Sequence, residues 1–164
     1  MSYKGGIEML EGLLTEEDCR NCKLCCYFEK DELIDAPTFT KEEKGYIIVN
    51  INSNIKFKKN GNIYQIILEK EDKIYKCPLL TSNGCTLKER RPFDCQSWPL
   101  YIMKENNQYY ITISNDCSTM NKVDKSKIIQ YIEKDFLKTA KYIIKNNPDM
   151  ITEYNRNLKI LYKI

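Results

Sequence analysis

Cys19-Arg-Asn-Cys22-Lys-Leu-Cys25-Cys26 places four of the chain's eight cysteines within eight residues, and this stretch dominates any interpretation of the fold. The other four follow further along the chain: Cys77, Cys85, Cys95 and Cys117. The chain contains no histidine. Thiolates are soft ligands, so this pattern favours zinc or an iron–sulfur cluster over calcium, magnesium or a histidine-based catalyst. We therefore expect all eight cysteines to be metal ligands.

Four disulfides are the alternative for eight cysteines, and the context argues against them. The chain opens Met-Ser-Tyr-Lys-Gly-Gly, without the apolar run or cleavage site of an exported protein. Cysteine makes up about 5% of the residues, whereas short disulfide scaffolds have roughly 8–10%. A disulfide between the adjacent Cys25 and Cys26 would be strained. These features predict reduced thiols in a cytoplasmic protein.

Length and composition predict one globular domain over residues 1–164. Hydrophobic residues make up 42% and charged residues 30% of the chain, and no apolar run approaches the ~18 residues that cross a bilayer. The formal net charge of +3 counts the cysteines as neutral, and thiolates bound to metal would bring it close to zero. Because no run of basic residues exists either, we expect neither a nucleic-acid nor a membrane partner.

The first cysteine block is predicted to follow a helix start. Thr15 and Asp18 have the spacing of a capping box. In a continuous helix the four thiols of the block would share one face, but they would spread over roughly 10.5 Å along the axis, too far for one zinc ion. A knuckle-like loop would instead allow one compact site.

Strand patterns occupy the middle of the chain. The predicted segments are a strand over 46–51, a hairpin over 55–68 turning at Asn60-Gly61, a short strand over 73–76, and a hairpin over 100–114 turning at Asn106-Asn107. The turn-rich stretch 78–99 holds two cysteines and is expected to have little regular structure without its metal.

Helical spacing is found in the last third of the chain. A helix capped by Asp124 or Ser126 would bury one apolar stripe: Ile128, Ile132, Phe136, Ala140 and Ile143 or Ile144. Pro148 suits the start of a second helix, with Ile151, Tyr154, Leu158 and Leu161 on one face. The prediction is a small α+β domain with antiparallel hairpins, cysteine-rich metal-binding loops over about 15–120, and two C-terminal helices over about 124–163.

The cysteines and their neighbours together resemble a known family. The matching segments are Cys19-x2-Cys22-x2-Cys25-Cys26, Cys77-Pro78-Leu79, Gly84-Cys85-Thr86-Leu87 and Arg91-Pro92-x2-Cys95-x2-Trp98-Pro99. With Cys117, they cover about two thirds of the chain. This composite resembles the YkgJ-type cysteine-cluster family, also called the CxxCxxCC or zinc- or iron-chelating domain. Family members usually carry arginine where this chain has Gln96.

The resemblance implies a cysteine-ligated zinc or iron–sulfur centre. It also places the chain near the flagellin lysine-N-methylases, which are larger proteins that contain this domain. The chain itself has six glycines and no Gly-rich strand-to-helix loop, so a self-contained methyltransferase with an open α/β sheet is not expected. Two functions stay open. One is an iron–sulfur protein that carries out or assists redox-type modification of a peptide or protein, and the other is a non-catalytic interaction domain stapled by zinc.

Two residues near the cysteines are candidate cofactor-binding residues. Arg91 can donate hydrogen bonds near the centre and offset thiolate charge, or can be a solvated surface charge. Trp98, the only tryptophan, can shield the centre or fill the core.

The predicted centre is a cubane 4Fe-4S cluster, favoured slightly over zinc by the thiolate count, the close spacing of the first block and the lack of histidine. We expect the eight cysteines to converge in one region. Cys26 is expected to point away from Cys25, because neighbouring side chains cannot both turn fully to one small ion.

Overall fold

Residues 10–164 are described by the computed structural model, apart from the side chain of Glu16. They divide into two units, the first formed by residues 19–96 and the second by residues 10–18 and 97–164. The predicted α+β class is confirmed, with antiparallel hairpins in both units and C-terminal helices in the second. Within residues 10–164, no helix has the length and apolar character needed to span a membrane.

The first unit combines short helices with three small antiparallel sheets. In chain order the elements are α1 (Glu16–Cys22), β1 (Tyr27–Phe28), β2 (Thr38–Phe39), α2 (Lys41–Asn50), β3 (Phe57–Asn60), β4 (Ile63–Ile66), β5 (Glu69–Glu71), β6 (Ile74–Lys76), β7 (Leu80–Thr81), β8 (Gly84–Cys85) and α3 (Phe93–Ser97). The strand orders are β1-β6-β5, β2-β4-β3 and β7-β8. Short 3-10 helices lie at Leu24–Cys26, Lys30–Asp35 and Lys88–Arg90.

Helix α2 replaces the strand that was predicted over 46–51, so that prediction is wrong. The helix starts at a capping box in which the Glu43 N–H donates to Thr40 Oγ1 at 3.2 Å and the Thr40 N–H donates to Glu43 Oε2 at 2.8 Å. These bonds satisfy N–H groups that have no partner within the helix. Ile47 is buried in the core of the first unit. The cap and this burial together outweigh the strand preference of the β-branched run.

The hairpin predicted over 55–68 is confirmed as β3 and β4. Asn60 pairs with Ile63, so the two turn residues are Gly61 and Asn62, one position later than predicted. Gly61 has a φ of 58° and Asn62 has no positive φ, which fits a type II′ turn. The short strand predicted over 73–76 is confirmed as β6.

The core of the first unit contains one of the cysteines. Its buried members are Ala36, Phe39, Ile47, Ile55, Ile66, Cys77, Leu79 and Leu87. Cys26 and Cys85 are partly buried and pack against this cluster. Apolar burial therefore anchors the chain at three cysteines from separate parts of the sequence.

The second unit is a four-stranded sheet with a long interrupted helix. Its elements are β9 (Leu100–Glu105), β10 (Gln108–Ile113), α4 (Lys125–Tyr131), α5 (Leu137–Asn146), β11 (Thr152–Glu153) and β12 (Lys159–Lys163), with a π-helical turn at Ile132–Phe136 and 3-10 turns at Met120–Lys122 and Pro148–Met150. The strand order is β11-β9-β10-β12. The predicted β9–β10 hairpin is confirmed, and Asn106 and Asn107 both have positive φ, as a type I′ turn requires.

The first predicted C-terminal helix is confirmed in position and cap. Asp124 accepts a hydrogen bond from the Ser126 N–H at 2.7 Å. The expected apolar stripe is buried at Ile128, Ile132, Phe136, Ala140 and Ile143. The π-helical turn at Ile132–Phe136 divides this helix into α4 and α5.

The second helix predicted from Pro148 is wrong, because the chain forms β11 and β12 there. Strand β11 runs parallel to β9, and β12 runs antiparallel to β10. The Tyr154 N–H donates to the Lys104 carbonyl at 2.8 Å, which continues the contact beyond β11. The outer edges of the β9–β10 hairpin offer unpaired backbone groups, and pairing with them outweighs the helical spacing of this segment.

Replacing Thr112 by valine should stabilise the protein by about 1 kcal/mol. Thr112 is fully buried in β10, and its hydroxyl has no hydrogen-bond partner among the described residues. Valine has a similar shape and removes the unpaired group. Urea unfolding measures the effect, with Thr86→Val as the control. That change should destabilise the protein, because the Thr86 hydroxyl donates to the Leu79 carbonyl at 3.1 Å. A loss of stability in Thr112→Val would contradict the argument.

Candidate metal centre

A sharp bend at Lys23 divides the first cysteine block. The predicted capping box is confirmed, since the Thr15 N–H donates to Asp18 Oδ2 at 2.8 Å and the Asp18 N–H donates to Thr15 Oγ1 at 3.1 Å. Helix α1 then ends at Cys22, and Lys23 adopts a left-handed φ of 52°. The Lys23 N–H donates to the Cys19 carbonyl at 3.0 Å. The block is therefore neither one helix nor one loop, because Cys25 and Cys26 lie beyond the bend.

Contacts within the first unit hold this bend in place. A non-glycine residue in the left-handed region costs roughly 1–2 kcal/mol, and glycine is more usual at the end of a helix. Lys23 keeps the conformation while its side-chain Nζ donates to the Ser82 carbonyl at 3.1 Å. Ser82 lies in the turn between β7 and β8, close in sequence to Cys85. The bond therefore joins the first cysteine block to the loop that carries a later cysteine.

Strand pairing brings the first block next to Cys77. Strand β1 follows Cys26 directly and pairs antiparallel with β6, which directly precedes Cys77. The Cys77 N–H extends this ladder by donating to the Cys26 carbonyl at 2.9 Å. Two cysteines that are 51 positions apart in the sequence are thereby joined through their backbones.

A second short hairpin positions Cys85. The Leu80 N–H donates to the Cys77 carbonyl at 3.0 Å, and Leu80 pairs with Cys85 across β7 and β8. Gly84, the first residue of β8, has a φ of 99°. L side chains rarely adopt this conformation, so glycine suits the position. Cys77 and Cys85 therefore lie at opposite ends of one compact turn.

Helix α3 carries a further cysteine, Cys95. Its first turn starts at Pro92, whose carbonyl accepts hydrogen bonds from the Cys95 N–H at 3.1 Å and the Gln96 N–H at 3.0 Å. The fixed φ of proline suits the start of a helix. The position of Cys95 is therefore fixed through its backbone hydrogen bond to Pro92.

Four thiols of the first unit interact electrostatically with one another in every pairing. They are Cys25, Cys77, Cys85 and Cys95. Burial raises the pKa of Cys77 to about 12 and is also the main cause of the raised pKa values of Cys85 and Cys95. Other thiols of the set raise the pKa values of Cys77, Cys85 and Cys95 further. The fold thus gathers four sulfur atoms from four sequence positions into one partly desolvated place, which we call the thiol set.

The thiol of Cys26 is hydrogen-bonded to the thiol of Cys25. This bond is the main cause of the raised pKa of Cys25, followed by burial and by the charge of Cys26. The expectation that Cys26 points away from Cys25 into a different coordination set stays a prediction. Cys26 is thus a fifth thiol beside the set.

Arg91 lies close enough to the thiol set to act on it. Its positive charge lowers the pKa values of Cys25 and Cys85, opposing the effect of burial. Its Nε donates to the Lys88 carbonyl at 3.1 Å. The side-chain amide of Gln96, which is only 7% exposed, donates to the Arg91 carbonyl. Gln96 therefore supports the Arg91 backbone.

Asp94 is a neighbour of the thiol set that the sequence pattern did not single out. Its Oδ2 accepts hydrogen bonds from the Thr38 N–H at 2.9 Å and the Thr38 hydroxyl at 2.6 Å. Its negative charge contributes to the raised pKa of Cys95. Adjacency to a cysteine was the only available signal, and the contact with Thr38 depends on the tertiary fold.

The remaining candidates lie outside the thiol set. Cys19 and Cys22 are on α1, and Cys22 is exposed. Cys117 is buried in the second unit, where its Sγ accepts a hydrogen bond from the Met120 N–H at 3.4 Å. Trp98 is a partly buried residue of the second unit. Metal ligation by these three cysteines, and a cofactor-binding role for Trp98, stay predictions.

The four thiols interact with one another but do not form a metal site as they stand. Within residues 10–164, no group of three or more cysteine or carboxylate side chains could hold a metal ion as they stand. Tetrahedral zinc with bonds of about 2.3 Å needs its sulfur atoms about 3.8 Å apart, whereas electrostatic interaction extends over longer distances. Metal binding would therefore require the four side chains to move inward.

Without metal, the protein should lose stability as the pH rises above about 9, the region in which unfolded thiols ionise. The raised pKa values mean that the folded protein keeps these thiols protonated while the unfolded chain releases its protons. Stability is thus complete below the unfolded pKa and falls toward about pH 12, the folded pKa of Cys77.

Urea unfolding of reduced, metal-free protein between about pH 8 and 10 measures this loss. Cys77→Ala should reduce the slope of stability against pH, and Cys22→Ala, at an exposed position, should leave the slope unchanged. A stability that stays constant over this interval would contradict the burial argument.

Comparison of the chain with protein families, with curated proteins and with solved structures finds no match. The resemblance to the cysteine-cluster family rests on the cysteine motifs themselves, and the residues above are described on their own geometry.

Proposed function

We propose that the first unit holds a cysteine-ligated centre, an iron–sulfur cluster of the 4Fe-4S type. The observation that carries the proposal is the thiol set, because all four members interact with one another. Four cysteine ligands are the number that a cubane cluster takes. The same four residues belong to the motifs that resemble the cysteine-cluster family.

Two features favour a cluster over a single zinc ion. The chain has no histidine, so a mixed zinc site with imidazole ligands is excluded. A cubane of iron and sulfide also separates its ligands more widely than one ion does. The four thiols of the set could ligate the irons of such a cluster, one thiol to each iron.

The surrounding residues suit a negatively charged centre. Arg91 is a positive charge that lowers the pKa values of Cys25 and Cys85, and these are the thiolates that it would stabilise. Cys77 is buried in the apolar core, so its side of the site is shielded from water. A bound cluster would supply one-electron chemistry, while these residues position it and tune its charge.

We further propose that the protein acts in, or assists, redox-type modification of a peptide or protein. The support is the family resemblance together with a site suited to electron transfer. A cytoplasmic location agrees with eight cysteines free of disulfides, because that compartment keeps thiols reduced.

A zinc-stapled interaction domain is the second candidate function. It is favoured by the short elements between Cys77 and Cys95, which include strands of only two residues each. Such a segment gains folding energy from a bound structural metal. Four cysteines around zinc would fill its coordination, leaving no open position for catalysis.

Single replacement of Cys77 or Cys95 by serine should abolish the cluster. Anaerobically purified wild-type protein should be brown, with broad visible absorption that bleaches on reduction, and iron and sulfide analysis should give about four of each per chain. The matched control is Cys117→Ser in the second unit, where serine can still accept the Met120 hydrogen bond. If this variant keeps the colour and the iron, the thiol set holds the cluster without Cys117; if it loses them, Cys117 is a ligand as the sequence predicts.

The same purification separates the two candidate functions. Colourless protein with one zinc per chain would support the zinc-stapled domain in place of the cluster, provided that the zinc is lost in Cys77→Ser and Cys95→Ser. Normal iron content in both variants would overturn the assignment of the thiol set itself.

A further inference from the structure

A straight row of four lysines lies on the interrupted C-terminal helix. We call Lys134, Lys138, Lys141 and Lys145 the lysine row, and all four are exposed. Their spacings of four, three and four residues are those of one helix face. At 100° per residue the three members in α5 lie within an arc of about 60°, and Lys134 lies about one turn earlier. The row is about 16.5 Å long, at 1.5 Å per residue.

The positive charge of the lysine row is compensated only in part, by Asp135 three residues before Lys138 and by Asp149 four residues after Lys145. Each member has another lysine three or four residues away, and like charges at these spacings destabilise a helix. The ion pairs found in the described part of the chain involve other residues, such as Lys104 with Glu153 and Arg156 with Glu105. A surface helix more often places a glutamate four residues before a lysine. The row therefore maintains a self-repulsion that a negative partner would relieve.

The opposite side of the helix does not favour insertion into a membrane. Helices that lie on a bilayer insert an apolar face into it. Here the apolar residues Ile132, Phe136, Ala140 and Ile143 are buried within the protein. Any contact through the row is therefore electrostatic and made by lysine side chains alone.

The composition and width of the row favour an acidic protein over nucleic acid. The row contains no arginine, the residue whose planar guanidinium group can donate two hydrogen bonds to one phosphate. The exposed acidic side chains of Asp135 and Asp149 lie near its two ends in the sequence. Their negative charges would repel a broad surface of phosphates more strongly than a narrow line of carboxylates. A partner helix with carboxylates at the same spacing matches the row in length and charge.

We propose that the lysine row is a docking site for an acidic helix of a partner protein. The site lies in the second unit and does not depend on the metal proposed for the first. Its partner presents glutamate or aspartate side chains at intervals of four, three and four residues. Pairing cancels the repulsion along the row, and the contact weakens with salt because all of its charges are exposed.

Fluorescence anisotropy at low ionic strength tests the proposal with two labelled, alanine-rich helical peptides. The aligned peptide carries four glutamates at the spacing of the row, and the scrambled peptide carries four glutamates spread around the helix. The full-length protein should bind the aligned peptide at least about fivefold more tightly than the scrambled one, since only the aligned peptide can meet all four lysines.

Replacing lysines by glutamine distinguishes an effect of the row from an effect of the net charge on binding. Replacing all four row lysines by glutamine should weaken binding of the aligned peptide about tenfold or more, because complementary charge drives the contact. The matched control replaces four other exposed lysines of the second unit by glutamine: Lys122, Lys125, Lys127 and Lys163. This control should bind within about twofold of wild type, since its changes lie outside the row.

The row variant should stay folded, because glutamine forms helices about as well as lysine. A row of four arginines restores the charge and should restore binding. Equal binding of both peptides, or equal losses in the row and control variants, would overturn the proposal. Tighter binding to duplex DNA than to the aligned peptide would replace the acidic helix by nucleic acid, and binding restricted to anionic phospholipid vesicles would replace it by a membrane surface.

Discussion

The backbone hydrogen bond from the Cys77 N–H to the Cys26 carbonyl is the contact on which the candidate centre depends. It continues the pairing of β1 with β6 and joins two cysteine motifs that the sequence keeps far apart. From Cys77 the chain passes through the β7–β8 hairpin to Cys85. Loss of this pairing would separate the first motif from the later ones, because the intervening residues fold into other small sheets.

Burial of the thiol set creates an electrostatic conflict. Desolvation and mutual repulsion keep the thiols protonated, whereas a metal centre binds thiolates. A positively charged metal reverses this balance, because it binds the deprotonated form of each ligand. Arg91 works in the same direction at Cys25 and Cys85. The apolar core of the first unit and the proposed chemistry are thus coupled through the ionisation of the same side chains.

The two units carry different features on the same chain. The first contains the thiol set and several two-residue strands, while the second contains the six-residue hairpin strands and the long interrupted helix. The lysine row belongs to the second unit, so the proposed docking contact and the proposed centre depend on different elements. Each can be altered by substitutions that leave the other's residues in place.

Local chemistry explains the predictions that succeeded. The two hairpin turns contain residues that tolerate positive φ, and the caps at Thr15 and Asp124 each satisfy a backbone N–H within three positions along the chain. All of these depend on side chains and backbone groups that are neighbours in sequence. They can therefore be predicted without knowledge of the rest of the fold.

By itself, the sequence determined the α+β class, the β3–β4 and β9–β10 hairpins, the caps at Thr15 and Asp124, and the cysteine positions from which a metal centre is inferred. Only the tertiary structure decided that the segment after Tyr46 is helical and that Lys159–Lys163 is a strand, because burial of Ile47 and the free edge of β10 outweigh local preference. It also decided which thiols meet. Lys23 bends the first block and β-pairing brings Cys77 to it, and neither event leaves a pattern in the spacing of the cysteines. Long-range hydrogen bonds and burial act between residues that are distant in sequence, so the sequence names the candidate ligands and the fold selects among them.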